Sequence, residues 1–142
     1  MAASWLLASL LAAGGVPPVA SPLPLTELPV QTLAKDACVL VLWERATGRR
    51  IAMLTPGPDT IRVAIGGVET VLGRTGADGD AVIGFAPRAQ FAGGPLRIAT
   101  VLTIVANDVA GSGLVRDGVI SVIGSDGIEV VAPVAGIAGC NR

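Results

Sequence analysis

Histidine and tyrosine are absent from this chain, and only two tryptophans and two phenylalanines stand among its 142 residues. Without histidine there is no Ser-His-Asp triad, no Cys-His pair and no histidine-ligated metal. The shortage of aromatics leaves few platforms for stacking on unpaired bases or sugar rings. Charge is sparse as well: ten basic and eleven acidic residues give a net charge of −1. The two signs are interspersed without blocks, so no long-range field steers the chain toward nucleic acid. No Walker-type glycine motif is present, the glycines fall where turns are expected, and no cofactor is expected. Catalysis would have to rely on carboxylate, serine, arginine or the single lysine, Lys35, which sits beside Asp36 at the entrance to the folded region as an ordinary solvated charge.

There are only two cysteines, Cys38 and Cys140, and they bracket everything that reads as folded. A disulfide between them would close a loop of about 100 residues, which the chain-entropy model values at roughly 4.7 kcal/mol. Pairing would also remove both thiolates from consideration as nucleophiles and place the protein in an oxidising compartment, periplasmic or secreted.

The N-terminus supports export. Trp5 to Ala13 is an apolar run leading into Gly14 and Gly15, the shape of a signal peptide, although Met1 to Ser4 carry no basic residue. Residues 1–15 are therefore expected to be removed, with cleavage as late as Ala20 also open. Pro17 and Pro18 stop the run well short of the roughly 20 residues that span a bilayer, so no transmembrane span is expected in the mature chain. Residues 16–34 follow, with Pro17, Pro18, Pro22, Pro24 and Pro29, and read as an extended Pro-rich linker. Leu23, Leu25, Leu28 and Val30 leave open an alternative in which this stretch lies along the domain as a cover.

Residues 35–142 are one domain's worth of chain. β-Branched residues, glycines and frequent turn signals, with no sustained apolar stripe at helical spacing, predict an all-β fold: a small antiparallel sandwich or barrel-like domain. Ala37 to Glu44 is apolar on both faces and should be a buried strand, with Trp43 expected to pack in the core and a ligand-stacking role as the alternative. Thr60 to Ile65 and Val68 to Leu72 form a hairpin through Gly66 and Gly67, with Ile61, Val63 and Ile65 inward and Thr60, Arg62 and Ala64 outward. Leu96 to Ala106 is long enough for a central strand. Val119 to Ile123 and Ile128 to Ala132 form a second hairpin. Pro133 argues for an edge or a strand end.

Three clusters are candidate sites. Asp78 and Asp80 lie on a glycine-rich turn and are weak metal candidates, since the further oxygens of a calcium loop do not follow; no metal is expected. Arg45, Arg49 and Arg50 surround a turn beside Glu44 and offer planar forks to a carboxylate or phosphate on a partner. Asn107 and Asp108 open a loop that continues through Ala110, Gly111, Ser112 and Gly113, small residues suited to a binding loop on a rigid frame.

A short exported β domain with a cysteine at each end resembles, in architecture, the periplasmic inhibitors of c-type lysozyme, small barrels that insert a loop into the lysozyme cleft. That loop carries a serine, a glycine and a tyrosine, whereas the nearest stretch here, Thr75 to Gly84, has neither serine nor tyrosine; no residue carries over.

The leading expectation is a non-enzymatic binding or structural domain of the cell envelope whose partner is an envelope protein, a polymer or an apolar ligand. Apolar residues make up 51% of the chain, more than one small core readily hides, which favours an interface. The alternatives are a carboxylate-dependent hydrolase using Asp78, Asp80 or Asp108, and, from the architectural likeness, an inhibitor of a lytic enzyme.

Overall fold

A computed structural model describes residues 23–142. The expected signal peptide and the first part of the expected linker lie outside the described residues. Eight strands follow one another: β1 (Cys38–Glu44), β2 (Arg50–Thr55), β3 (Thr60–Ile65), β4 (Val68–Asp78), β5 (Arg88–Gly93), β6 (Leu96–Ala106), β7 (Gly113–Ile123) and β8 (Glu129–Cys140). Each pairs antiparallel with the next, and β8 returns to β1, so the sheet closes into a barrel rather than splitting into a sandwich. Closure is continuous along the whole of β1, from Cys38↔Cys140 to Glu44↔Val134, and leaves no unpaired edge.

Period-two burial explains the wall. Along β6, Leu96, Ile98, Thr100, Leu102 and Ile104 are buried while Arg97, Val101, Thr103 and Val105 are exposed. Ile61, Val63, Leu72, Ile120, Val122 and Val134 fill the interior from the other strands. Thr100 brings in a buried hydroxyl with no hydrogen-bond partner among the described residues. Gly136 lets β8 approach β1 closely: a Cβ there would lie 2.5 Å from the Val41 carbonyl oxygen. Gly66 and Gly67, with φ of 57° and 81°, supply the left-handed conformations of the tight β3–β4 turn.

Both ends of the barrel are plugged. At the end carrying the disulfide, here the lower end, Phe85 turns in from the β4–β5 connection. At the upper end, Leu23 and Leu25 enter the core, with Pro24 lying beside Ile65, Pro95 and Gly124.

The chain then runs down the outside of the barrel, which corrects the linker reading for its described part. Thr26 donates its backbone N–H to Ala64 and Leu28 to Arg50, each at 2.8 Å. Leu28 is completely buried against Val39, Met53 and Ala64 on the outer faces of β1–β3. Near the lower end, Asn141 ties down the strap by donating its side-chain amide to the carbonyls of Leu33 and Ala34. Pro24 and Pro29 prevent a full ninth strand, but the N–H groups between them supply the few bonds that hold an extended segment in place.

Several expectations for single residues change as well. Ala64, expected outward in solvent, is fully buried beneath the strap, whereas Ile65 at the strand end is 39% exposed. Trp43, expected in the core, points outward on β1 and is half-buried in a groove beside the strap. Pro133 is neither at an edge nor at a strand end; it lies within β8, opposite Val119. Its carbonyl accepts from Arg45 N just past the end of β1. The N–H and C=O of one strand residue point to the same side, so the missing donor of Pro133 falls where β1 has already ended.

Candidate binding groove

On β1, Leu40 and Leu42 point inward, so Val39, Val41 and Trp43 face outward. The strap covers them only in part. Between strap and barrel lies a cavity of about 430 Å³, with Leu28 and Leu33 from the strap on one side and Val41, Trp43 and Met53 on the other. A second hollow of about 410 Å³ shares Leu33, Val39, Val41 and Ile137 with the first and runs on to Cys140 and Asn141. Together they form one groove descending along β1 toward the disulfide.

The polar members of the upper hollow are Glu27, Gln31 and Arg50. Gln31 is engaged by the Pro29 carbonyl and by Glu69. Arg50 donates Nε to the Leu28 carbonyl at 2.9 Å, which holds the guanidinium at the groove, and its terminal nitrogens make no hydrogen bond or ion pair among the described residues. The groove therefore has an apolar body and a cation at its upper part, with exposed Glu27 at the rim. A volume of this size suits a small molecule or an aliphatic chain.

The three turn arginines do not converge. Arg45 leans the other way, across β8: Nε donates to the Val134 carbonyl at 3.3 Å, a terminal nitrogen donates to the Arg116 carbonyl, and Asp117 lies at 3.9 Å. Among the described residues Arg49 keeps a buried Nε with no hydrogen-bond partner, and of the three arginines only Arg50 lines the groove. Glu44, expected beside a solvated turn, is wholly buried; it accepts from the Thr47 hydroxyl at 2.9 Å, and its backbone N–H donates to Arg49.

The acidic candidates open at the lower end on separate connections. Asp78 accepts from Arg88 Nε and Nη2 at 3.1 and 2.8 Å and from the Gly79 N–H at 2.9 Å. The Arg88 hydrogen bonds, then its charge, hold the Asp78 carboxyl below the usual carboxylate range. Asp80 is exposed, and among the described residues no three His, Cys, Asp or Glu side chains cluster to hold a metal. Asn107 bonds across its own loop, N–H to the Ser112 carbonyl and side-chain amide to the Ser112 hydroxyl at 3.0 Å, while Asp108 is exposed. These contacts give the Asn107 loop a structural task.

The groove was not foreseen from the sequence, although a signal for it existed. A strand apolar on both faces in a closed barrel needs something over its outer face, and the leucines spaced through the Pro-rich stretch supply it. Neither a family model, nor a curated protein, nor a solved structure matches this chain.

Proposed function

We propose that this protein is a non-enzymatic binding domain of an oxidising, non-cytoplasmic compartment, periplasmic or secreted, that receives an amphiphile with an aliphatic chain and an anionic end. The supporting observation is the groove: Val39, Val41 and Trp43 lie on the outer wall beneath the strap, with the Arg50 guanidinium held beside them. The chain of the ligand would displace water from the apolar floor, and its head would take the terminal nitrogens of Arg50 as charge-assisted donors. The disulfide between Cys38 and Cys140 agrees with an oxidising environment. No helix among the described residues is long and apolar enough to cross a membrane.

The test is fluorescence of a Trp5→Phe chain, in which Trp43 is the sole tryptophan, titrated with oleate below its micelle concentration. Saturable change at one oleate per chain is expected, with Arg50→Gln weakening binding about tenfold, the equivalent of about 1.4 kcal/mol for a lost charged hydrogen bond. Oleyl alcohol should bind the parent chain about as weakly as oleate binds the variant. An emission spectrum that ignores oleate would refute the proposal.

A further inference from the structure

The barrel has a second outward face, formed by β6, β7 and β8, which borders the groove at Ile137. Registered rows cross it: Val101, Val119 and Pro133 stand side by side, as do Val105, Leu114 and Ile137 nearer the lower end. All six are exposed. The wall opposite is more mixed: β3, β4 and β5 turn Arg62, Glu69, Arg88 and Gln90 outward beside the exposed Val68 and Val71. An apolar face of this extent on one side of a small barrel marks an interaction surface.

Its charges identify the occupant. At the upper end the same register places Arg97 of β6, Ile123 of β7 and Glu129 of β8 in one row. Two strand spacings, about 10 Å, separate the arginine from the glutamate, and no ion pair joins them among the described residues. Glu129 accepts from the Ser121 hydroxyl at 2.8 Å, while Arg97 has no hydrogen bond or ion pair among the described residues. The row is thus positive on one side of β7 and negative on the other. A two-fold axis running along β7 between two facing walls lays β6 of one chain over β8 of the other and keeps their upper ends together. Arg97 of each copy then meets Glu129 of its partner, twice, with the apolar rows stacked below. Such self-complementarity is the requirement of an isologous dimer.

Midway down the face, the β7 bulge presents Arg116 and Asp117, and Arg45 lies across β8 to reach them. This belt carries both signs and separates the two apolar fields. Area sets the strength. Three strands of eleven or twelve residues cover a footprint of about 14 by 36 Å, or roughly 500 Å² per chain, from standard strand spacing and rise. That is below the ~800 Å² per partner of a standard interface and near the range of transient ones.

We propose that the β6–β7–β8 wall pairs with a second copy of this chain in a reversible, micromolar two-fold dimer. Sedimentation equilibrium of the disulfide-intact protein from about 1 to 500 µM tests it, spanning the concentrations at which a small interface associates. Arg97→Glu and Glu129→Arg are each expected to raise the dimer dissociation constant tenfold or more, and the double exchange to restore it to within about threefold, because swapped charges face each other again. Val119→Lys should abolish association while leaving the circular dichroism spectrum and melting temperature near the parent values. A chain that stays monomeric throughout, a dimer indifferent to the single exchanges, or a double exchange that folds without restoring association would each overturn the proposal. A monomer that instead cosediments with phosphatidylethanolamine–phosphatidylglycerol vesicles would overturn it too, and would assign the wall to a lipid surface.

Discussion

Reduction of the Cys38–Cys140 bridge is the perturbation whose size follows most directly from the topology. The two cysteines are 102 residues apart in sequence yet face each other in the β1–β8 ladder, where the barrel closes. In the chain-entropy model a loop of this length confines the unfolded chain by roughly 4.7 kcal/mol. Part of that is recovered in any real unfolded ensemble, which is more compact than a random coil. The bridge adds little to the folded state itself, because the β1–β8 pairing and the Asn141 bonds to Leu33, Ala34 and Ala37 hold the same seam together. The expected loss is therefore about 2 to 5 kcal/mol, carried by the unfolded state, or about 10 to 20 °C in melting temperature for a domain of this size. Urea titrations of oxidised protein, reduced and alkylated protein, and the Cys38→Ser/Cys140→Ser double variant would measure it. The midpoint should fall in both thiol-free forms and the slope should rise, since an uncrosslinked unfolded chain exposes more surface. A difference below about 1 kcal/mol, or an unchanged slope, would refute the claim that the bridge acts by constraining the unfolded chain.

Leu28→Ala should cost about 2 to 5 kcal/mol in urea titrations, the usual range for emptying a buried leucine site, because this side chain is fully enclosed between strap and barrel; a change within about 0.5 kcal/mol would mean that the segment behaves as a solvated tether. For Asp78, the folded-state carboxyl titrates below its ordinary value, chiefly through the Arg88 hydrogen bonds. The stabilisation is then present above the unfolded pKa of about 3.9 and disappears as pH falls through the folded one. Asp78→Asn should accordingly lower the urea midpoint slightly at pH 7 and leave it unchanged relative to the parent below the folded pKa, where the parent carboxyl is protonated as well; an equal deficit at both pH values would show that the loss is not electrostatic.

Local features were legible because their causes are local. The strand Leu96–Ala106 shows in its apolar length, and the Gly66-Gly67 hairpin in the one residue type that tolerates both turn conformations. The all-β class followed from composition and the absence of helical periodicity. The site was less legible. The arginines at 45, 49 and 50 are close in the chain, but Arg45 and Arg50 lean in opposite directions across β8 and under the strap, so nearness in sequence did not bring them to one place. Trp43 was misplaced because an apolar strand shows which residues avoid water but not which of its two faces looks into the barrel.

The amino-acid sequence by itself determined the strands, the tight turns and the chemistry this chain lacks, since each depends on side-chain volume, polarity or backbone freedom within a few residues. Whether those strands closed into a barrel, which outer face the strap covered, and that Arg97 and Glu129 would flank β7 in one row were decided only by tertiary structure. Those outcomes depend on register between segments far apart in the chain, where a shift of one residue would exchange every inward side chain for an outward one.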